Sequence, residues 1–390
     1  MADENEVLFQ ITRAHLNTGL RGFPVGTCRT SKVDPEKGVS YMGYPIAELA
    51  FQDPEAVVYL LLHHDLPNHE QLTEFKQVLA EHTGVPDEVI DFLKRMPRDG
   101  HPMEWLIAGL TLLGMTSKTE DVMEDAYRLI ARTPELVAAI FRVRSGWGDP
   151  IPPERGLGLI ENFVHMLGVP GGDKQALTKL LRVFYVLHMD HGGGNLSTFT
   201  GKAVSSAGTH IYSAMTAAMA GLYGPLHGRA NQDCLNFVKE VGDSDPEHIE
   251  RFVRSTLEQG GKIYGFGHAV LRAEDPRAKI EYELGQELFP NDPLFKTALQ
   301  MRTTAVKVLE EYPKISNPYP NVDAVSGTLL HAAGLNDSDY YTVLFGLSRI
   351  SGISAQIVDE RLRLRRGGKA IPIYRPKYLA QDQPARHLEG

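Results

Sequence analysis

Much that would point outside the cell, into a membrane or onto nucleic acid is missing from this sequence. Its 390 residues hold two cysteines, Cys28 and Cys234, which make neither a disulfide framework nor a CxxC metal pair and suit a reducing compartment. No apolar run reaches the roughly 18 residues of a membrane span. The N-terminus, MADENEVLFQ, is acidic, with neither an apolar signal core nor an Arg- and Ser-rich transit character, and a cytoplasmic protein is expected. The formal net charge of -9 argues against a general nucleic-acid binder, although a local basic pocket for a small anion remains compatible with it. Runs of Val, Ile and Thr alternating with period two are scarce, which removes most β architectures. Internal repeats and low-complexity segments are absent.

What is present reads as helix. The chain is 42% hydrophobic and 23% charged, enough for a sizeable core. Asp53-Pro54, Thr133-Pro134, Asp245-Pro246, Asp275-Pro276 and Asp292-Pro293 each pair a capping side chain with a proline at the first helical position. Proline lacks an N–H that would be unpaired there in any case, and the Asp or Thr oxygen accepts from the next turn. Apolar residues then recur at helical spacing, as in AVVYLLLHHDL, EWLIAGLTLLGM and LLRVFYVLHM. Residues 16–50 read as irregular, with a small hairpin around Gly38 to Gly43 and Tyr44-Pro45. The expected class is all-α, with soft points at Gly242 to Pro246 and at Gly334 to Ser338. His63, His64 and His69 are expected at a solvated helix–turn–helix corner rather than on a metal. The basic run RLRLRRGGK (361–369) is expected to be a solvated helix end rather than a nucleic-acid patch.

The chemistry-bearing residues sit on turns shaped by glycine and proline. From His188 the sequence runs HMDHGGGNLSTFT, then through two small-residue helical segments to GPLHGRANQ, so that His191 and His227 each follow or sit in a Gly-rich turn. Histidine near neutral pH moves a proton or gives a neutral hydrogen bond with little tuning. HxDH also resembles a metal pair, but no HExxH, CxxC or third ligand stands at recognisable spacing. Further on, Gly265-Phe266-Gly267-His268 presents another histidine, followed by Arg272 and Arg277. Asn321-Val322-Asp323 follows Pro318 and Pro320, delivering a carboxylate at a helix start, and Arg349 lies in FGLSRISG. Histidines, one aspartate and several arginines suit an enzyme that grips a small polycarboxylate with guanidinium forks and moves protons with His and Asp.

Taken in order, GLRG, DHGGGNLSTFT, GPLHGRANQ, GFGHAVLRAEDPR, PNVDAVSG, YYTVLFGLSR and the late RPK resemble the citrate synthase family from about Gly19 to Pro376. GPLHG with ANQ, and GHAVLR, lean toward its shorter dimeric branch that includes the eukaryotic enzymes. The resemblance implies an all-α, two-domain fold, with residues 1–228 and 335–390 forming a large domain and 229–334 a small one that closes over the site. It implies condensation of acetyl-CoA, a co-substrate, with oxaloacetate and water to give citrate and CoA, with no metal and no cofactor. By the same resemblance Asp323 is the base, His227 stabilises the enol, and His268 polarises the oxaloacetate carbonyl. His191, Arg277 and Arg349 hold oxaloacetate, and Arg375 reaches in from the partner subunit of a homodimer. Arg21, Gly265, Gly267, Arg272, Lys314 and Asn321 fall on or near the coenzyme A positions.

Two departures stand out. Tyr264-Gly265 replaces the family's usual Pro-Gly, and Ser316 stands where close eukaryotic relatives carry a second lysine. Two rival readings keep the same core residues: a 2-methylcitrate synthase taking propionyl-CoA, and a catalytically dead homologue that binds CoA or a dicarboxylate. A citryl-CoA lyase module has the same fold but comes as part of a larger chain. One methylene in an apolar pocket is worth only about 1–3 kcal/mol, so the acyl preference is not legible here.

Overall fold

The computed structural model describes residues 5–192, 194–363 and 372–379. After a short 3₁₀ turn, Arg13–Asn17, the chain forms a three-stranded antiparallel sheet of β1 (Ser31–Asp34), β2 (Gly38–Tyr41) and β3 (Tyr44–Pro45), with Ser31 opposite Tyr41 and Tyr41 opposite Tyr44. Gly38 is needed at its corner: φ is +81°, and a Cβ there would lie 2.6 Å from Pro276 Cδ.

Everything else that is regular is helical, as expected. Eight helices come first: α1 (Ile46–Leu49), α2 (Pro54–His63), α3 (His69–Glu81), α4 (Asp87–Arg95), α5 (Pro102–Ser117), α6 (Val122–Ser145), α7 (Leu159–Leu167) and α8 (Lys174–His188). Then follow α9 (Leu196–Ser205), α10 (Ile211–Tyr223), α11 (Ala230–Val241), α12 (Pro246–Glu258), α13 (Pro276–Leu288), α14 (Pro293–Glu310), α15 (Asp323–Ala332) and α16 (Tyr341–Val358).

The expected caps hold at Asp245, Asp275 and Asp292, whose side chains accept from His248 N, Arg277 N and Phe295 N. Asp53 also precedes a helix, but its carboxylate goes to Lys76 and Arg182 instead. Thr133-Pro134 is no helix start: α6 runs straight through it, with Thr133 Oγ1 donating to the Leu129 carbonyl at 2.6 Å. Burial of Leu129, Ile130, Leu136 and Val137 on both sides of the proline outweighs its local preference.

The histidine corner joins α2 to α3 as expected, with His69 exposed, but His63 and His64 are less solvated than expected. His63 stacks on Tyr59 and meets the Tyr127 hydroxyl at 3.0 Å, while His64 caps α2 and lies 3.1 Å from Asp359. Both are half-buried structural residues; among the described residues no group of three or more His, Cys, Asp or Glu could hold a metal ion. The basic run starts on a π-helical turn, Asp359–Arg363, and is not a plain solvated face. Arg363 donates to the Leu62 carbonyl and Arg361 to Ser205 Oγ. Residues 364–369 of that run lie outside the described residues.

The core is organised around α16, buried at every residue except Phe345 and packed by α2, α6, α8, α9, α10 and α11. A helix buried on every face belongs in the centre of a protein. α9 and α10 come close because Gly201 faces Ala218 and Gly221 faces Thr200. Helices α11 to α15 pack chiefly on one another, and reach the rest through α13 on α1 and α8, α15 on α8 and α11 on α16.

Candidate active site

The first wall of the site is the turn after α8. Asp190, fully buried, accepts from Thr30 Oγ1 at 2.5 Å, Gln356 Nε2 at 2.7 Å and the His191 amide at 2.8 Å, and its own N–H donates to the Tyr41 hydroxyl. Gly192 N donates to Ser31 Oγ at 2.6 Å, so hairpin and turn hold His191 from both sides. Gly352 of α16 crosses here, where a Cβ would lie 2.1 Å from the Met189 carbonyl. That close crossing seats Arg349, 2% exposed, with Nε donating to the His188 carbonyl at 3.0 Å and its guanidinium 4.7 Å from the Phe345 ring centre. Burial lowers the Arg349 pKa to about 10, with the Asp190 charge opposing, so it remains a cation near neutrality.

The second wall is the GPLHG turn, closed by His227 N donating to the Gly224 carbonyl. His227 Nε2 accepts from the Ser197 backbone N–H at 3.2 Å, with Ser197 Oγ at 2.9 Å. A backbone amide only donates, so Nε2 is the acceptor and the ring proton sits on Nδ1. Burial lowers the pKa to about 4, Arg349 adding to it. His227 is therefore a neutral donor through Nδ1.

The third wall is the strap of residues 264–272 against 317–323. Gly267 N donates to the Tyr319 carbonyl, Asn321 N to the Gly265 carbonyl, Asn321 Nδ2 to the Gly267 carbonyl and Asn317 Nδ2 to the Leu271 carbonyl. Gly265 (φ +81°) has to be glycine, since a Cβ would lie 2.6 Å from Ala324 Cα and 2.7 Å from Cys234 Sγ. His268 Nδ1 accepts from the Val270 and Leu271 amides at 3.0 and 3.1 Å, which puts its proton on Nε2. Its ring centre is 5.5 Å from that of His191. Burial, then the Arg277 charge, lowers the pKa of both histidines, that of His191 well below the usual range. Both rings are neutral.

Asp323 is the first residue of α15, where a helix N-terminus ordinarily favours the charged carboxylate. Burial wins instead: it raises the pKa to about 6, with Arg277 and Arg349 opposing and Asp275 adding. Arg277, 3% exposed, is held by Asp275 through Nε at 3.1 Å and Nη2 at 2.7 Å. The mutual fields of Asp323, Arg277, Arg349, His191, His227 and His268 join the six expected residues into one cluster.

Beside His268 opens a cavity of about 560 Å³ lined by Gly265, Gly267, Lys314, Ser316 and Tyr264, among others. Lys262 lines it too. Arg272 curls onto its own loop, Nη1 donating to the Leu271 and Val270 carbonyls at 2.7 and 3.1 Å, and Asn321 spends its amide on Gly267. Arg21 does not line this cavity; it sits exposed in the N-terminal segment. Arg375 is also exposed, in a tail where Tyr374 N donates to Ser206 Oγ and the Tyr374 ring stacks near Phe199. Within one chain it is not brought to the cluster. Sequence reasoning passed over Ser197, which fixes the His227 tautomer, and saw Asp275 only as a cap; an Asp two residues before a needed Arg was the available signal.

The citrate synthase family model, described as its C-terminal domain, matches residues 19–377. The chain is 36% identical over 400 residues to citrate synthase 4, mitochondrial, of Arabidopsis thaliana (95% of this chain, 82% of that one). It is 36% identical over 405 residues to mitochondrial citrate synthase of Xiphias gladius (96% and 84%). Crystal structures of citrate synthase from Thermotoga maritima (TM-score 0.82, 28% identity, 95% and 97% covered) and Pyrobaculum aerophilum (0.84, 26%, 96% and 94%) have the same fold. So does the Thermoplasma acidophilum enzyme in its ternary complex with carboxymethyl coenzyme A and oxaloacetate, at TM-score 0.83 and 24% identity. The mitochondrial relatives overturn the cytoplasmic expectation. An import address is read from a targeting segment, so the composition of the folded enzyme does not report it. The chain belongs to the citrate synthase family.

Proposed function

We propose that this enzyme condenses acetyl-CoA with oxaloacetate and water to give citrate and CoA, and that the cluster above carries the reaction. The observation that supports this most directly is the pairing of opposite tunings: a carboxyl raised to about pKa 6 at Asp323 beside neutral histidines whose donor nitrogens are fixed by backbone amides. A thioester methyl is a far weaker acid than any carboxyl, and each unit of pKa mismatch costs about 1.4 kcal/mol. Asp323 removes the proton only because His227 Nδ1–H meets the developing enolate oxygen. The enol carbon attacks the oxaloacetate ketone, whose alkoxide takes a proton from His268 Nε2. Arg277, Arg349 and His191 hold the dicarboxylate. Water then cleaves the citryl thioester, releasing CoA and making the reaction effectively irreversible.

Residues 229–334 act as a small domain that closes on oxaloacetate, a reading supported by the mutual packing of α11 to α15. Closure excludes water until the carbon–carbon bond has formed. The nucleotide of CoA lies in the 560 Å³ cavity, with Lys314, Arg272 and Asn321 near it and Arg21 brought in from the N-terminal segment. The active form is a homodimer in which Arg375 serves the partner's site. Its interface is the outer face of α5, α9 and α10, where Thr111, Met115, Leu196 and Ala220 are exposed, together with the fully exposed Leu226. Apolar area of that kind on a helical face is ordinarily covered.

The test is release of thiol from acetyl-CoA and from propionyl-CoA, each with oxaloacetate. Preference for acetyl-CoA by at least tenfold in kcat/KM is expected. Equal or better turnover of propionyl-CoA overturns the substrate assignment, and turnover of neither overturns the enzyme.

A further inference from the structure

Glu281 has no part in the chemistry above, yet it is built into the same wall. It lies in α13 four residues after Arg277, on the same helix face, and α13 packs on α15, which begins at Asp323. The residue is 1% exposed, and neither carboxyl oxygen has a hydrogen-bond partner among the described residues. Arg and Glu at this spacing ordinarily pair; here the Arg277 fork turns back to Asp275 instead. A buried carboxylate without a donor is among the costliest groups in a protein, and protonation removes most of that cost. Burial first, then the Asp323 charge, pushes the Glu281 pKa well above the ordinary carboxylate range, with Arg277 opposing and Asp275 adding.

The other elements packed against α13 bring little charge to bear. α8 ends in His188, itself buried and neutral, with its pKa lowered to about 3. Farther back on α8, Lys179 pairs with Glu287, and Arg182 with Asp53 and Glu161. Glu48 of α1 is exposed to solvent.

We propose that Glu281 is a positioning residue for the condensation: as a neutral acid behind Arg277 and Asp323, it leaves the Arg277 fork to Asp275 and the dicarboxylate. Once ionised, it competes for Arg277, repels the dianionic substrate and makes Asp323 a charge next to a charge. The alkaline decline of oxaloacetate use is therefore set by Glu281. This rests on the reaction proposed above, and the two fail differently.

The experiment compares wild type, Glu281→Gln and Glu281→Met across pH 6 to 10. It reads kcat/KM for oxaloacetate at saturating acetyl-CoA, and the thermal midpoint without substrate. Near pH 7 the Gln variant, an isostere of the acid, should keep kcat/KM within about threefold of wild type. At alkaline pH the wild type should lose about tenfold per pH unit past its limb, while that limb is shifted up by at least one unit in both variants. A carboxyl with a raised folded pKa stabilises the fold below its unfolded pKa and loses that contribution as pH rises through the folded value. The midpoint advantage of the Gln variant over wild type should accordingly grow with pH. Alkaline limbs that coincide in all three proteins, with wild type active, overturn the inference alone. A midpoint difference that does not change with pH also overturns it, because Glu281 is then not titrating. A wild type that turns over neither acyl-CoA overturns the reaction and this inference with it, whereas the midpoint comparison still shows whether Glu281 is neutral in the fold.

Discussion

Asp323 is the residue on which local and global forces disagree most. A helix start favours its anion, whereas burial favours its acid, and burial prevails, at about pKa 6. In the reaction proposed above Asp323 works as the anion, so kcat/KM for the acyl-CoA should rise tenfold per pH unit below 6 and level off above it; a limb centred near pH 4 would deny the raised pKa. Asp323→Asn should keep oxaloacetate binding and lose about 10²–10⁴ in kcat. Its stability carries a sign as well. The wild-type carboxyl, with its folded pKa raised, stabilises below the unfolded value near 3.8 and loses that contribution as pH rises through about 6. The Asn variant should thus melt above wild type at pH 7 and alongside it at pH 4, measurable by calorimetry. Much of this was legible in the sequence, because His227, His268 and Asp323 each follow a glycine or proline turn. The tautomers were not, since they depend on Ser197 for His227 and on the Val270 and Leu271 amides for His268.

At the scale of the element, the strap of 264–272 on 317–323 is what turns two loops into one rigid part. Its glycines are not equivalent to glycines elsewhere. Gly260 (φ +75°) has nothing within 4 Å of a Cβ, so Gly260→Ala should cost only the backbone strain, about 1 kcal/mol. Gly265→Ala adds a methyl within 2.6 Å of Ala324 at the start of α15, so the strap must shift under Asp323. Activity of that variant should fall by about 10² or more, because misplacement by about 1 Å costs that much, and its melting point should fall further than that of Gly260→Ala. Activity equal to that of Gly260→Ala would show the strap to be slack. The cap-and-proline signals predicted α12, α13 and α14 correctly, and failed at Thr133-Pro134, where apolar burial on both sides carries α6 through.

For the whole molecule, closure and dimerisation carry the predictions. If residues 229–334 close on oxaloacetate, that ligand alone should slow proteolysis and raise the thermal midpoint, because it binds the closed folded form by mass action; no protection at saturation would count against closure. Arg375→Ala and His268→Ala should each raise the oxaloacetate requirement sharply, since charge-assisted hydrogen bonds in a closed site are the strong ones. Co-folding the two variants separates the arrangements. With Arg375 acting in trans, a mixed dimer has one doubly damaged site and one intact site, and activity returns to about half of the mixed dimers' sites. With Arg375 acting in cis, mixing restores nothing.

The all-α class, most helix starts and the hairpin near Gly38 were legible in the sequence alone, because periodicity, caps and glycine turns act over a few residues, whereas the six residues of the cluster were picked out by their match to the family's motifs. Tertiary structure decided which nitrogen of His227 and His268 carries its proton, why Asp323 is raised, and that Glu281 stands unpaired behind Arg277. It also turned Arg272 onto its own loop, tied Asn321 across the strap to the Gly267 carbonyl and left Arg375 in solvent within one chain. Ser197 against His227 and the burial of Asp323 and Glu281 depend on partners distant in the chain, and desolvation, the largest force on every group in the cluster, is set only when the helices pack.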